Sequence, residues 1–178
     1  VLFRSMEMGQ NVPYKKVDEL PANEFLNLEG RQFSKSEGWT IDLERFFSQF
    51  IADQIRYTMA ANAPETQDSE FTWKDFQSRC NAELLGKYGN LANRVLVFAQ
   101  NQCQGKIPAA APDIDFLSKI KTITGEIEKA YAGFHLRKVS SLIMELAQEG
   151  NVYFDGKKPW TLAKNEATRP EMDIVIAS

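Results

Sequence analysis

One long stretch, TWKDFQSRCNAELLGKYGNLANRVLVF (residues 72–98), predicts a mainly α-helical fold. Its apolar residues lie three or four positions apart, which is the spacing of one face of an amphipathic helix. They are Trp73, Phe76, Cys80, Leu84, Tyr88, Leu91, Val95 and Phe98. Thr72 and Asp75 resemble a capping box at the start of the helix, and Gly105 and Pro108 are typical of its end. We therefore predict one continuous helix over this stretch.

Two more amphipathic helices are predicted further along the chain. The second begins near Asp113, and its apolar residues are Phe116, Ile120, Ile123, Ile127 and Tyr131. The third ends at Gly150, and its apolar residues are Leu136, Val139, Leu142, Ile143 and Leu146. Three amphipathic helices with short connections are typical of an antiparallel helical bundle.

The residues before the long stretch have a different character. The segment EFLNL (24–28) alternates between polar and apolar residues, which predicts a short strand ending at Gly30. The polar run RQFSKSEG (31–38) follows and predicts a surface loop. Apolar residues at helical spacing return over 43–59, and the acidic stretch that ends at Glu70 predicts a linker or turn.

The composition is that of a globular protein and excludes some classes of function. Apolar residues make up 43% of the chain, charged residues 25%, and the formal net charge is −3. A negative charge argues against a broadly basic nucleic-acid binder, but not against a protein that recognises a few unpaired bases by stacking. The sequence contains neither a transmembrane stretch nor a signal peptide, so we expect a cytoplasmic protein without a membrane partner.

The sequence offers no metal site. Cys80 and Cys103 lie far apart, without companion ligands at metal-binding spacing, and are expected to be reduced thiols. The single histidine, His135, has no nucleophile or orienting acid beside it and is expected to lie at the start of a helix.

The first candidate site is the loop Phe33-Ser34-Lys35-Ser36. A cationic loop after the carboxyl end of a strand is a common phosphate-binding position in α/β proteins. A lysine there can neutralise charge on a departing phosphate, and serine hydroxyls can hold that phosphate. From the residues alone, an ordinary solvated loop remains the alternative.

The second candidate site combines Asn90, Arg94 and Trp160. Asn90 and Arg94 are four residues apart, so they share one face of a helix. An amide and a guanidinium can bind base edges or phosphates, and an indole beside lysines can stack on an unpaired base. The alternatives are a solvated helix face and a half-buried tryptophan that packs on a neighbouring helix.

Several segments, in order along the chain, resemble the methionyl-tRNA synthetase family of class I aminoacyl-tRNA synthetases. The loop Phe33–Ser36 is similar to the family's KMSKS signature. The other matching segments are NEFLNLEG (23–30), ADQIRY (52–57), DSEFTWKDF (68–76), YGNLANR (88–94) and KPW (158–160). The resemblance covers about residues 20–166, and the ordered set is far more specific than any one segment.

The resemblance implies a division of the chain into three parts. Residues 1–38 would be the C-terminal end of a Rossmann-like catalytic domain, 39–70 a short stem-contact segment, and 71–178 a helical anticodon-binding domain. The family's HIGH motif, methionine pocket and zinc-binding insert would precede Val1, and the bundle would continue beyond Ser178. We therefore expect a fragment that is inactive alone, does not bind the family's zinc, and leaves part of its apolar surface uncovered.

The implied function is that of a methionine–tRNA ligase, which activates methionine with ATP and transfers it to tRNA(Met). Lys35 matches the second lysine of the signature, so the resemblance implies that it binds ATP. With Ser34 and Ser36, and with Mg²⁺ nearby, it would stabilise the transition state of activation. Gln32 replaces the first signature lysine, and Arg31 could compensate in part.

The resemblance also assigns roles in the second candidate site. Asn90 and Arg94 match the pair that reads the anticodon, and Trp160 matches the tryptophan that stacks on it. The expected partner is therefore the anticodon loop of tRNA(Met). Two other functions are considered, a non-catalytic helical RNA-binding module and a helical protein-interaction scaffold. Neither of them needs the signature loop.

Overall fold

The computed structural model describes residues 18–178, and the protein is mainly helical, as predicted. The elements in chain order are β1 (Leu26–Leu28), α1 (Leu43–Gln49), α2 (Ala52–Ala61), β2 (Ser69–Phe71), α3 (Trp73–Ser78), a π-helix (Arg79–Gly89), α4 (Asn90–Cys103), α5 (Ile114–Ala132), α6 (Leu136–Lys157), α7 (Pro159–Leu162), a 3₁₀ turn (Glu166–Thr168) and α8 (Arg169–Ala177). The antiparallel order of the bundle and the three-part division of the chain remain predictions, and residues 1–17 of the first part lie outside the described range.

The two strands form a small parallel pair. Leu26 lies opposite Ser69, and Leu28 lies opposite Phe71. The strand predicted over 24–28 is thus confirmed in its second half. The prediction of a linker or turn up to Glu70 was wrong at its end, because residues 69–71 form β2. The physical reason is Phe71, which is completely buried and draws this segment into the core.

A cluster of aromatic rings joins the strands to the helices that follow them. Phe71 contacts Phe46, Trp73 and Phe76 with ring centroids 6.1, 5.2 and 5.8 Å away. Phe50 meets Phe76 edge-on at 4.7 Å. Burial of each phenylalanine contributes about 1.5–3 kcal/mol, so these rings hold β1, β2, α1 and α3 in one core.

The long helix predicted from residue 72 is present but is not a regular α-helix. Thr72 caps its start by accepting a hydrogen bond from the Asp75 amide at 3.0 Å, and left-handed Gln104 and Gly105 follow its end. Between α3 and α4, however, residues 79–89 form a π-helix. Added Cβ atoms at Gly86 and Gly89 would lie 3.1 Å from the carbonyl oxygens five residues earlier. The absence of side chains at these two positions therefore accommodates the wide turns.

The π-helix also corrects the predicted apolar face. A π-helix closes hydrogen bonds between residues five apart, so a spacing of three or four drifts around its surface. Tyr88, predicted on the buried stripe, is 56% exposed, whereas Cys80 at the start of the π-helix is buried.

The second and third predicted amphipathic helices are α5 and α6. They pack against each other through Ile123, Ala130, Val139 and Leu142. The predicted start of α5 is confirmed, since Asp113 caps it by accepting from the amides of Asp115 and Phe116. The predicted end of α6 at Gly150 was wrong, because the helix continues to Lys157. A Cβ on Gly150 would lie 2.6 Å from a methyl group of Leu91, so this glycine serves close helix packing.

Part of the apolar surface of α5 and α6 lines an open groove. Phe116, Ile120 and Leu146 are half-buried and line a groove of about 460 Å³ that also reaches Leu91 and Val175. Within residues 18–178, no helix is long and apolar enough to cross a membrane.

Candidate functional site

The signature loop (residues 31–38) follows a tight turn at the end of β1. Leu28 and Arg31 exchange backbone hydrogen bonds of 2.7 and 3.1 Å, with Glu29 and Gly30 between them. Both central residues have positive φ, 47° and 78°, as a type I′ hairpin turn requires. Glu29 also accepts a hydrogen bond from the Trp73 amide at 2.8 Å. The base of the loop is therefore fixed to the start of α3.

The tip of the loop is a small hairpin that presents Lys35. Ser34 and Trp39 exchange backbone hydrogen bonds of 3.0 and 2.9 Å, so residues 35–38 form the turn between them. The hydroxyls of Ser34 and Ser36 lie 3.2 Å apart. The Lys35 side chain is exposed and has no hydrogen-bond or ion-pair partner among residues 18–178. The loop thus combines one available ammonium group with two adjacent hydroxyls.

Arg31 is engaged within the loop. Its guanidinium lies 2.7 Å from the carboxylate of Glu37 and 4.8 Å from the ring centroid of Trp39. Gln32 is exposed. Arg31 therefore forms an exposed ion pair within the loop, and the neutral Gln32 adds no charge beside it.

Beside the loop lies an apolar cavity of about 500 Å³. Lys35 and Phe33 line one side of it, and Phe46 and Phe71 of the aromatic core line another. Lys35 therefore lies next to a largely apolar cavity while its side chain is exposed to solvent.

The second site is built around Arg94 on α4. Both terminal nitrogens of its guanidinium bind the carboxylate of Asp155 on α6, and the longer contact measures 3.4 Å. The guanidinium carbon lies 5.1 Å from the ring centroid of Phe154 and 5.9 Å from that of Trp160. Hydrogen bonding to Arg94 holds the pKa of Asp155 below its usual value. Arg94 is therefore oriented before any ligand arrives.

Trp160 follows a sharp change of chain direction. Lys158 adopts a left-handed conformation with φ of 49° and ends α6, and Pro159 is fully buried. The indole of Trp160 is 39% exposed, and its centroid lies 5.9 Å from that of Phe154. It thus contacts Phe154 of α6 and keeps part of its surface exposed to solvent.

The structure brings Arg94 and Trp160 together, and Asn90 lies one helical turn before Arg94 on the same helix. Asn90 is exposed at the start of α4, and its side chain makes no hydrogen bond within residues 18–178. An amide without internal partners can donate to and accept from a base edge.

Sequence reasoning missed Asp155 and Phe154 as parts of this site. Both lie in the last turns of α6, beyond the predicted end at Gly150. The available signal was Phe154 itself, which lies eight residues after Leu146 and continues the apolar stripe of α6.

The remaining candidate residues have structural environments. Burial raises the pKa of both free thiols, Cys80 and Cys103. His135 precedes the first turn of α6. No cluster of three or more His, Cys, Asp or Glu residues that could hold a metal is found in the described range 18–178.

Comparisons with known proteins agree on one family. A family model described as tRNA synthetases class I (M) matches residues 1–96, more than half of the chain. A methionine–tRNA ligase of Protochlamydia amoebophila (strain UWE25) is 62% identical over 179 residues, which cover 98% of this chain and 26% of that protein. The methionine–tRNA ligase of Chlamydia pneumoniae is 48% identical over 181 residues, or 99% of this chain and 33% of that protein.

A solved structure has the same fold. It is the Mycobacterium tuberculosis methionyl-tRNA synthetase in complex with methionyl-adenylate, which is 25% identical and superimposes with a TM-score of 0.75 over 87% of this chain and 32% of that one. The chain thus spans about a quarter to a third of the length of the relatives it matches. On these matches, the chain belongs to the methionyl family of class I tRNA synthetases.

Proposed function

We propose that this chain is part of a methionine–tRNA ligase, an enzyme that joins methionine to tRNA(Met) at the expense of ATP. The family membership and the names of its close relatives support this proposal. In such an enzyme the carboxylate of methionine attacks the α-phosphate of ATP and pyrophosphate leaves. A hydroxyl of the terminal ribose of the tRNA then attacks the methionyl carbonyl of the resulting adenylate, and AMP leaves. The proposal places the chain in the cytoplasm, with methionine, ATP and tRNA(Met) as its partners.

The signature loop would act on the first of these steps. The ammonium of Lys35 has no internal partner among the described residues, so it is available to neutralise the charge that grows on the departing pyrophosphate. Ser34 and Ser36 lie close enough to donate to neighbouring phosphate oxygens. The described residues contain no cluster of three or more His, Cys, Asp or Glu residues that could hold Mg²⁺ by itself, so Mg²⁺ would enter with the nucleotide. When bound there, Mg²⁺ supplies additional neutralisation of phosphate charge.

The helical part would recognise the anticodon loop of tRNA(Met). The observation that carries this proposal is the position of Arg94, which Asp155 holds beside the half-exposed ring of Trp160. A preoriented guanidinium beside a stacking surface, with the unpartnered amide of Asn90 one turn away, suits an unpaired base. We assign Asn90, Arg94 and Trp160 to reading the CAU anticodon.

The proposed division of the chain follows from these roles. Residues 1–38 would complete the Rossmann-like catalytic domain, 39–70 would form the stem-contact segment, and 71–178 the anticodon-binding domain as an antiparallel bundle. The segment 39–70 is supported as a connector by α2, where the Tyr57 hydroxyl donates to Glu83 of the π-helix at 2.6 Å.

A binding experiment tests anticodon recognition. The chain is titrated with an RNA hairpin whose loop contains CAU and with the same hairpin after the loop sequence has been changed. We expect preferential binding to CAU, and Trp160→Ala should weaken it by about 1–3 kcal/mol through lost base stacking. Tyr131→Ala is a matched control, because Tyr131 is an aromatic side chain on α5 that is 66% exposed. Equal affinity for both hairpins would contradict the proposal.

The second candidate is a helical RNA-binding module without catalysis. The half-exposed Trp160 and preoriented Arg94 favour it over a protein-interaction scaffold, which would show no preference for an anticodon loop. Lys35 distinguishes the ligase from the non-catalytic module, since hairpin binding alone does not need an ammonium group on the signature loop.

A further inference from the structure

The start of α4, where Asn90 lies, is fixed by a contact with α6. The backbone N–H of Asn90 donates to the Leu85 carbonyl, five residues back, and also to the Lys87 carbonyl. This is where the wide hydrogen bonding of the π-helix changes to that of an ordinary α-helix. The direction in which the side chains of α4 point is therefore set at this junction.

Asn151 of α6 binds the same carbonyl. Its side-chain amide donates to the Lys87 oxygen at 3.1 Å and to the Ala147 oxygen of its own helix at 2.9 Å. The residue is only 8% exposed, and its side-chain oxygen is buried without a hydrogen-bond partner within the described residues. Asn151 therefore keeps one polar group unsatisfied while it binds the end of the π-helix.

Gly150 makes this contact possible. Its Cα faces Leu91, one residue after Asn90, and the space that a Cβ would need is occupied by a Leu91 methyl group. The two helices consequently approach closely at the point where Asn151 reaches Lys87. One turn further along α6, Asp155 binds Arg94.

We propose that Asn151 is a positioning residue for anticodon recognition. Its hydrogen bond to Lys87 fixes where the π-helix becomes α4, and so directs Asn90 toward the same RNA loop as Arg94 and Trp160. The inference rests on the proposed function, because it concerns how residues of α4 and α7 come to face one RNA loop.

A double-mutant cycle tests whether Asn151 acts through Asn90. The preference of the 178-residue chain for the CAU hairpin over the changed hairpin is measured for Asn151→Ala, Asn90→Ala and the double variant. We expect Asn151→Ala to lower the preference about tenfold, the scale of one lost hydrogen bond to a base. In the Asn90→Ala background it should cause little further loss. Fully additive losses would overturn the proposal, since they would mean that Asn151 acts independently of Asn90.

A glycine pair provides a second test that does not depend on the folding of Asn151→Ala. Gly150→Ala forces α6 away from Leu91, whereas a Cβ on Gly156 of the same helix meets nothing within 4 Å. We expect Gly150→Ala to lower the preference and Gly156→Ala to leave it unchanged. Equal behaviour of the two variants would contradict the proposed positioning.

Amide hydrogen exchange separates this inference from the proposed function. Without RNA, Asn151→Ala should accelerate exchange of the amides of residues 90–94 relative to those in the middle of α5. If the unmodified chain ignores the hairpin sequence but this acceleration occurs, anticodon recognition is wrong and Asn151 still fixes the junction. If exchange at residues 90–94 does not change, the positioning role is refuted.

Discussion

Replacement of Phe71 by alanine should destabilise the protein more than replacement of any exposed aromatic residue. Phe71 is completely buried and contacts three other rings, whereas Phe47 is 57% exposed and contacts Phe46 at 6.2 Å. Loss of a buried ring costs about 3–5 kcal/mol, since the transfer energy and the energy of the cavity add. Each edge contact accounts for roughly 0.5–1.5 kcal/mol of such a loss.

Urea unfolding, followed by circular dichroism, measures the difference. With a slope of about 2 kcal/mol per M, Phe71→Ala should lower the unfolding midpoint by roughly 1.5–2.5 M. Phe47→Ala is the matched control, and its cost should be about 1 kcal/mol or less, since it lies at the surface. Comparable midpoint shifts for the two variants would show that the aromatic cluster is not the core that holds the strands to the helices.

The other predictions concern the two sites. In the complete ligase, Lys35→Ala should slow methionyl-adenylate formation by about 10²- to 10³-fold, while the affinity for methionine stays nearly constant. Gln32→Ala should have a smaller effect in the same pyrophosphate-exchange assay, and equal effects would mean that the roles within the loop are assigned wrongly. The pair between Asp155 and Arg94 should break in acid. The pKa of Asp155 is lower in the folded protein than the usual aspartate pKa. The pair therefore stabilises the fold fully at pH values above the usual aspartate pKa, and this stabilisation is lost as the pH falls through the lower pKa of the folded state. Trp160 fluorescence, measured against pH, should report this loss, and Asp155→Asn should remove the transition.

Helix spacing predicted the fold class, because the apolar residues of α5 and α6 follow a regular α-helix. It did not predict the π-helix, since Gly86 and Gly89 only permit the close approach of the carbonyl oxygens of Asn81 and Leu84 and do not require wide turns. Gly150 was misinterpreted for a related reason. Its role is to admit Leu91, and a packing partner 59 positions away leaves no local signal.

The candidate site was predictable in a different way. The side chains of Asn90, Arg94 and Trp160 are of types that can bind unpaired bases. Their grouping in one candidate site, however, was predicted from the resemblance to the family rather than from their spacing. The residues that orient them, Asp155 and Asn151, carry no motif. An aspartate and an asparagine on a helix are normally solvent-exposed, and here α6 packs so that Asp155 meets Arg94 of α4 and Asn151 meets Lys87 of the π-helix.

The parallel pairing of β1 with β2 bears on the order in which the chain folds. The partners Leu26 and Ser69 are separated by some forty residues, so their contact must await closure of a long loop, whereas helices form from neighbouring residues. At a synthesis rate of about 5–20 residues per second, roughly 2–9 s pass between the synthesis of β1 and that of β2. During that interval β1 lacks the strand with which it pairs in the structure. The signature loop therefore acquires its anchored conformation only after β2 and the start of α3 have been made, so it is among the later parts of this region to become ordered on the ribosome.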